Sequence, residues 1–169
     1  MATRTAALLL FTALIPATLR GQTAPRPDCS GPNHRAFDFW VGDWDVTTNN
    51  QVAGTNSITL TQAGCILHEH WIGTGGGTGE SFNFYDRSRD TWNQLWIDSS
   101  GNVLRLAGHY ADGEMRLTGE TLRGGVTILQ KLTFFKNDDG SVRQLWESSR
   151  DGGKSWGVSF DGLYTKKKN

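Results

Sequence analysis

Apolar and polar residues alternate along most of the chain, in short runs separated by turn-forming clusters. The runs of about six to twelve residues between clusters each suit one β-strand. Two runs place four apolar side chains on one face: Val126, Ile128, Leu132 and Phe134, and Trp156, Val158, Phe160 and Tyr164. The clusters, rich in Gly, Asn, Asp and Ser, lie at residues 49–50, 73–79, 86–90, 99–102, 112–113, 123–125, 137–140 and 151–153.

Roughly nine or ten consecutive strands at this spacing favour an up-and-down barrel or a sandwich. Helical periodicity is missing except for a short turn around Phe37 to Trp40. Closure into a barrel would remove the exposed edges that so many strands otherwise present. We therefore predict an all-β, up-and-down antiparallel barrel of about 8–10 strands with a short N-terminal helical turn.

The first residues form a separate segment. Arg4 precedes an apolar run from Ala6 to Ile15, followed by Pro16 and small residues, which is the layout of a secretory signal peptide. No other run approaches about 18 apolar residues, so we predict no transmembrane segment. The expected location is periplasmic or secreted. The predicted division is a signal peptide at 1–21, an N-terminal extension at 22–36, the barrel at 37–165 and a basic tail at 166–169.

Composition narrows the classes of partner. A chain of 169 residues suits one domain. Its 17 Lys and Arg balance 17 Asp and Glu, and a net charge of zero removes the electrostatic case for nucleic acid or an anionic membrane. The 18 aromatic residues (7 Trp, 8 Phe and 3 Tyr), together with 21 Gly and only 4 Pro, favour strands and tight turns over a helical bundle.

Two cysteines, Cys29 and Cys65, follow the predicted signal peptide. An oxidising compartment favours a disulfide between them. Two isolated cysteines supply too few ligands for a metal site. The sequence therefore predicts a Cys29–Cys65 bond.

Residues 37–44 read Phe-Asp-Phe-Trp-Val-Gly-Asp-Trp and open the predicted barrel. With several later motifs, they resemble bacterial exported proteins that have a calycin-like (lipocalin-like) β-barrel and no assigned function. The resemblance spans roughly Cys29 to Tyr164. It implies a barrel with a small-molecule lumen and implies no particular reaction. The later motifs are Gly64-Cys65 before Glu69-x-Trp71, Ser81-x-Asn83-x-Tyr85-Asp86, Trp92-x-Gln94-x-Trp96, and Phe160-Asp161-Gly162-x-Tyr164.

Alternation also selects candidate ligand-binding residues. If the aromatic faces of the strands point inward, one carboxyl group, several amides and several indoles line a single lumen, which is the usual makeup of a ligand pocket. The alternative is a filled core in which the amides bond one another. The inward face of strand 81–85 stays open, because Phe82 and Phe84 lie opposite Ser81 and Asn83. The candidates are Glu69, Trp71, Ser81, Asn83, Trp92, Gln94, Trp96, Gln144 and Trp146.

The sequence gives less support for a metal or haem site. His68 and His70 share a strand face at a spacing that can ligate metal, but a third ligand is not evident, so we interpret them as surface residues. His109 does not occupy the late position of the haem ligand in nitrobindin-like barrels. We predict no metal and no cofactor. Residues 149–156 match an Asp-box motif, which we interpret as a hairpin stabiliser.

The sequence thus favours an exported barrel that binds a small, partly apolar molecule. One alternative is an enzyme on the same barrel that uses Glu69 as a general acid or base. Another is an envelope interaction protein whose barrel is filled. Cavity volume separates the filled barrel from the others, because a ligand site needs roughly 300 Å³ or more. The oligomeric state and the identity of the ligand are left open.

Overall fold

The computed structural model describes residues 29–168. The predicted signal peptide lies outside this range, as do the first residues of the predicted extension and Asn169. Within residues 29–168, no helix is long and apolar enough to cross a membrane.

Ten antiparallel strands form a closed up-and-down barrel in which β1 pairs with β10. The predicted all-β barrel is confirmed, and the sandwich is excluded. One helix, α1 (Pro32–Arg35), and a 3₁₀ turn (Asp38–Trp40) precede the barrel, and a second 3₁₀ turn (Gln62–Gly64) joins β2 to β3. The strands are β1 (Gly42–Thr48), β2 (Gln51–Thr61), β3 (Ile66–Gly73), β4 (Thr78–Asp86), β5 (Thr91–Asp98), β6 (Val103–Ala111), β7 (Glu114–Arg123), β8 (Val126–Lys136), β9 (Val142–Ser149) and β10 (Gly157–Lys166).

Three of the hairpins close through two residues with positive φ. These are residues 49–50, 112–113 and 124–125, whose φ angles lie between 49° and 81°. Type I′ turns require positive φ at both central residues, which explains the use of Asn, Asp and Gly there. The turn chemistry therefore sets the register of the paired strands.

Alternation of burial along the strands decides which side chains enter the barrel. On β4, Ser81 and Asn83 are buried, whereas Phe82 and Phe84 are 40% and 39% exposed. The inward face that the sequence left open is therefore the polar one. On β10, the predicted common face from Trp156 to Tyr164 is wrong, because the register shifts between Val158 and Phe160. A β-bulge of this kind turns the residues that precede it to the other face of the strand.

An N-terminal plug, residues 29–40, closes one end of the barrel. Phe37 and Trp40 are completely buried, and their rings stack with centroids 5.1 Å apart. Both rings contact Phe134, at centroid distances of 4.9 Å and 4.6 Å. The indole N–H of Trp44 donates to the Trp40 carbonyl oxygen over 2.8 Å. The plug is thus joined to β1 and to the aromatic core.

Polar contacts and the cysteine pair also hold the plug. The indole N–H of Trp92 donates to the Asn33 carbonyl oxygen over 3.1 Å, and the Asn33 amide donates to the Tyr85 hydroxyl over 2.9 Å. Cys29 and Cys65, the predicted partners, lie at disulfide distance, with their Cα atoms 5.0 Å apart. The plug is therefore tied to β5, to β4 and to the connection between β2 and β3.

We expect thiol titration of the unfolded, unreduced protein to find no free thiol. The bond would close a loop between residues 36 positions apart, so its reduction should lower the free energy of unfolding by about 3–4 kcal/mol in the chain-entropy model. Urea unfolding with and without reductant measures this loss. Two free thiols per chain before reduction would contradict the pairing.

Candidate functional site

A cavity of about 240 Å³ lies in the barrel on the side away from the plug. Four of its lining side chains, Trp71, Trp96, Trp146 and Phe160, are aromatic and half-buried. Because these rings line the cavity and also reach solvent, we place them at its entrance and call them the mouth rings. Six of the nine predicted ligand-binding residues line the cavity: Glu69, Trp71, Gln94, Trp96, Gln144 and Trp146. The remaining lining residues are Leu104, Leu132, Ser159, Phe160 and Tyr164.

The volume limits what the cavity can hold. About 240 Å³ falls short of the roughly 300 Å³ set above for a ligand site, which is the size at which drug-sized sites begin. An engineered cavity of about 150 Å³ in another protein binds benzene. The space therefore suits a molecule of about one substituted ring, or an aliphatic molecule of the same size.

Glycines on neighbouring strand positions make room for three of the mouth rings. A Cβ at Gly54 would lie 2.7 Å from Cη2 of the Trp71 indole, and a Cβ at the other two glycines would also clash with the ring beside it. The rings therefore lie directly over backbone and leave the centre of the barrel unfilled. The pairs are Gly54 with Trp71, Gly79 with Trp96, and Gly162 with Phe160.

Hydrogen bonds fix the other side of the cavity. The Trp146 indole N–H donates to Oε1 of Gln130 over 2.7 Å, and the Gln130 amide donates to the Thr121 hydroxyl over 2.9 Å. The Tyr164 hydroxyl donates to Oε1 of Gln144. Trp146 and Gln144 are thereby held in place at the cavity wall.

A chain of buried polar side chains leads to Glu69. The Gln94 amide donates to Asn83 Oδ1 over 2.8 Å, and the Asn83 amide donates to Ser81 Oγ over 2.8 Å. The Ser81 hydroxyl then donates to Glu69 Oε2 over 2.5 Å. From the other side, the Asn56 amide donates to Glu69 Oε1 over 2.7 Å. Both carboxyl oxygens therefore accept a hydrogen bond, as an ionised carboxylate requires.

The ionisation of Glu69 is balanced near neutral pH. Burial raises the pKa of this carboxyl from its usual 4.5 to about 7, because desolvation disfavours the charged form. The hydrogen bonds from Ser81 and Asn56 and the nearby charge of His68 lower the pKa and oppose part of this effect. Near neutral pH, Glu69 therefore presents either a neutral carboxylic acid or a negatively charged carboxylate to the cavity, and a charged group placed beside it would shift the balance between the two forms.

Three predicted ligand-binding residues do not line the cavity. Ser81 and Asn83 lie behind Glu69 and Gln94, in the hydrogen-bonded chain described above. Trp92 is buried at the plug, where its ring meets Phe37 edge-on with centroids 5.7 Å apart. Trp92 lies near the start of β5. Because β5 runs from the plug towards the cavity, an inward side chain at its plug end cannot reach the cavity at the other end.

The structure also adds residues that the sequence reasoning missed. Asn56 shares the buried face of β2 with Gly54 and Ile58, and its place two residues before the apolar Ile58 could have marked it as inward. Phe160 and Tyr164 were part of a motif but were not assigned to the lumen. Ser159 reaches the cavity because of the bulge on β10, which no alternation rule reveals.

The remaining histidines and acids stand apart from this site. His68 contacts Glu80 over 3.1 Å and stacks on Phe82 on the outer wall. His109 is exposed on β6. Among residues 29–168, no group of three His, Cys, Asp or Glu could hold a metal ion. In the Asp-box hairpin, Asp151 accepts hydrogen bonds from the Ser149 hydroxyl and the Ser155 amide, in line with a structural role.

Comparison with protein-family models and with curated proteins gives no match for this chain. The resemblance to exported calycin-like proteins thus stays a prediction, and the function has to be argued from the cavity itself.

Proposed function

We propose that this protein is an exported, calycin-like barrel that binds a small, partly apolar molecule in the cavity behind the mouth rings. The observation that carries the proposal is the burial of Glu69, which is 4% exposed, in the wall of an unfilled space lined mainly by aromatic and aliphatic side chains. Burial of a group that can ionise costs stability. A barrel selected only for a filled core would be more stable with an apolar residue at this position.

The lining matches the proposed ligand class. Aromatic and aliphatic walls bury apolar surface, which supplies most of the binding free energy. Polar groups of Gln94, Gln144 and Tyr164 lie in the same wall and can hydrogen-bond one polar end of a ligand. A ring or short aliphatic body with one polar substituent meets both requirements.

The cysteine pair supports export. Disulfides persist in oxidising compartments such as the periplasm and are rare in the cytosol. Together with the signal-peptide pattern of the first 21 residues, this favours a role outside the cytoplasm.

Acid–base catalysis is the second candidate function. Two titratable groups, Glu69 and Tyr164, share the cavity, and a carboxyl with a pKa of about 7 suits proton transfer at neutral pH. Burial and the charge of Glu69 raise the pKa of Tyr164 well above its usual value, so the phenol stays protonated. Because Asn56 and Ser81 occupy both oxygens of Glu69, the arrangement favours binding over proton transfer.

Isothermal titration calorimetry with benzyl alcohol tests the proposal. We expect saturable binding to the unmodified protein and binding at least about tenfold weaker to the Gly79→Ala variant, since crowding of this size in an apolar pocket changes affinity about 10- to 200-fold. The new Cβ would clash with the Trp96 indole and push the ring into the cavity without removing any polar group.

Gly157→Ala is the matched control. Nothing lies within 4 Å of a Cβ at this position, so the variant should bind like the unmodified protein. The cavity would be refuted as the site by an absence of binding to the unmodified protein, or by equal affinities of the Gly79→Ala and Gly157→Ala variants.

A further inference from the structure

We propose that the cavity selects organic cations of the substituted-ammonium class over neutral and anionic molecules of the same shape. The inference rests on the proposed binding function and names the charge of its ligand. It follows from which ionisable groups surround the cavity and from the aromatic character of the wall.

The charges around the cavity are of one sign. Among the described residues that line the cavity, only Glu69 and Tyr164 ionise, and both lose a proton when they do. The strands on either side of Glu69 supply no inward cation: β2 contains no charged residue, and β4 carries Glu80 on the outer wall and Asp86 at its far end. His68, the nearest basic group, lies on the outer wall against Glu80.

Within residues 29–168, an anionic ligand would therefore find no positively charged side chain in the cavity lining. It would also oppose ionisation of Glu69, because like charges in a region of low dielectric constant repel strongly. A cation meets the reverse situation, since the carboxylate becomes its counter-charge. The two hydrogen bonds that Glu69 already accepts stabilise that ionised form.

The mouth rings add a second source of preference for positive charge. The face of an indole or phenyl ring carries negative potential and attracts cations, most strongly for Trp and where water is excluded. Three indoles and one phenyl ring surround this entrance. The N–H of Trp146 is already bonded to Gln130, so this ring has no free N–H for an anionic or neutral acceptor. Aromatic side chains recognise quaternary ammonium groups in other proteins, and a carboxylate in the same wall adds an opposite charge.

In the part of the chain that the structure describes, Glu69 accepts hydrogen bonds from Asn56 and Ser81 but forms no ion pair. An unpaired buried charge is costly, and a partner of opposite charge offsets the cost. Binding of a cation should therefore draw Glu69 into its ionised form, while a neutral ligand leaves the proton in place. Ligand charge and Glu69 ionisation are coupled.

Choline and its neutral carbon isostere, 3,3-dimethylbutan-1-ol, provide a matched pair of probes. Calorimetry at pH 8 should give an affinity for choline about 10- to 30-fold higher than for the isostere. The charge of choline does not titrate, so its affinity should rise about tenfold from pH 6 to pH 8 as Glu69 ionises. The affinity for the isostere should stay nearly flat over that range.

Two variants test whether Glu69 causes the preference for choline and its pH dependence. Glu69→Gln should abolish the pH dependence of choline binding and reduce the preference for choline to the contribution of the mouth rings. Glu120→Gln removes an exposed carboxyl on β7, away from the cavity lining, and should keep both the preference and the pH dependence. The pH series on the unmodified protein tests the proposal even where the Glu69→Gln variant is poorly folded.

The outcomes separate this inference from the binding function. If the isostere binds as tightly as choline while benzyl alcohol still binds, selection for cations is wrong and the binding site stands. A preference for choline that survives Glu69→Gln with an unchanged pH profile also overturns the inference. If choline, the isostere and benzyl alcohol all fail to bind, the proposed function itself falls.

Discussion

Replacement of Trp40 by alanine is expected to lower the free energy of unfolding by about 3–5 kcal/mol. Trp40 is completely buried, stacks on Phe37 and contacts Phe134 with ring centroids 4.6 Å apart. Its removal opens a cavity where the plug meets the barrel, and rigid rings on several elements cannot all collapse into it. Urea unfolding followed by circular dichroism measures the loss.

Two variants show whether packing is the cause. Trp40→Phe keeps a ring and removes an indole N–H that has no hydrogen-bond partner among the described residues, so we expect a loss below about 1.5 kcal/mol. Trp156→Ala changes a tryptophan 37% exposed on the outer hairpin and should cost no more than about 1 kcal/mol. Similar losses for Trp40→Ala and Trp156→Ala would contradict the plug as a structural closure.

Replacement of Glu69 by glutamine is expected to stabilise the barrel, relative to the unmodified protein, more at high pH than at low pH. The folded-state pKa of about 7 exceeds the usual 4.5, so folding favours the protonated acid. The contribution of Glu69 to stability is therefore fully present below pH 4.5, falls as the pH rises through 7, and levels off above it. The difference between the two pKa values corresponds to about 3 kcal/mol, a cost that glutamine does not incur.

Urea unfolding of both proteins at pH 4.5 and pH 8 measures the effect. The gap between them should change by about 3 kcal/mol in favour of glutamine at the higher pH. All other groups titrate in both proteins, so the gap isolates Glu69. Glu120→Gln, at an exposed position on β7, is the control. The difference in free energy of unfolding between this variant and the unmodified protein should change little between pH 4.5 and pH 8. A Glu69→Gln gap that is constant with pH would mean that the carboxyl is not held in a desolvated site.

The two predictions assign different roles to the two ends of the barrel. The plug end is packed for stability, with aromatic rings in direct contact. The cavity end keeps an unfilled space and a carboxyl that weakens the fold when it ionises. Sites that destabilise a fold in this way are typical of function, because binding requires groups that packing alone would replace.

Much of the fold could be predicted from the sequence because its signals are local. Alternation along β8 and the turn residues at 49–50, 112–113 and 124–125 each depend on neighbouring residues only. Closure of the barrel depends on the pairing of β1 with β10, for example Trp44 opposite Lys166. No local pattern encodes a pairing over that separation, so the sequence alone could not exclude a sandwich.

The candidate site could be predicted only in part, for a related reason. Alternation shows that Trp92 and Trp96 point inward, but not how deep each lies along the barrel axis. Depth depends on the tilt and stagger of the strands, which place Trp92 at the plug and Trp96 at the cavity. The bulge on β10 likewise moves Ser159 into the lining, and its presence depends on how β9 and β10 pair.

The seven tryptophans allow one measurement to test the binding cavity directly. Each indole N–H gives its own signal in a ¹⁵N–¹H NMR spectrum, and the rings fall into three places: the mouth (Trp71, Trp96 and Trp146), the plug region (Trp40, Trp44 and Trp92) and the outer hairpin (Trp156). On titration with benzyl alcohol, we expect saturable shifts of the three mouth signals, while the plug and hairpin signals stay in place. An unchanged spectrum, or shifts confined to the plug or to Trp156, would contradict this expectation.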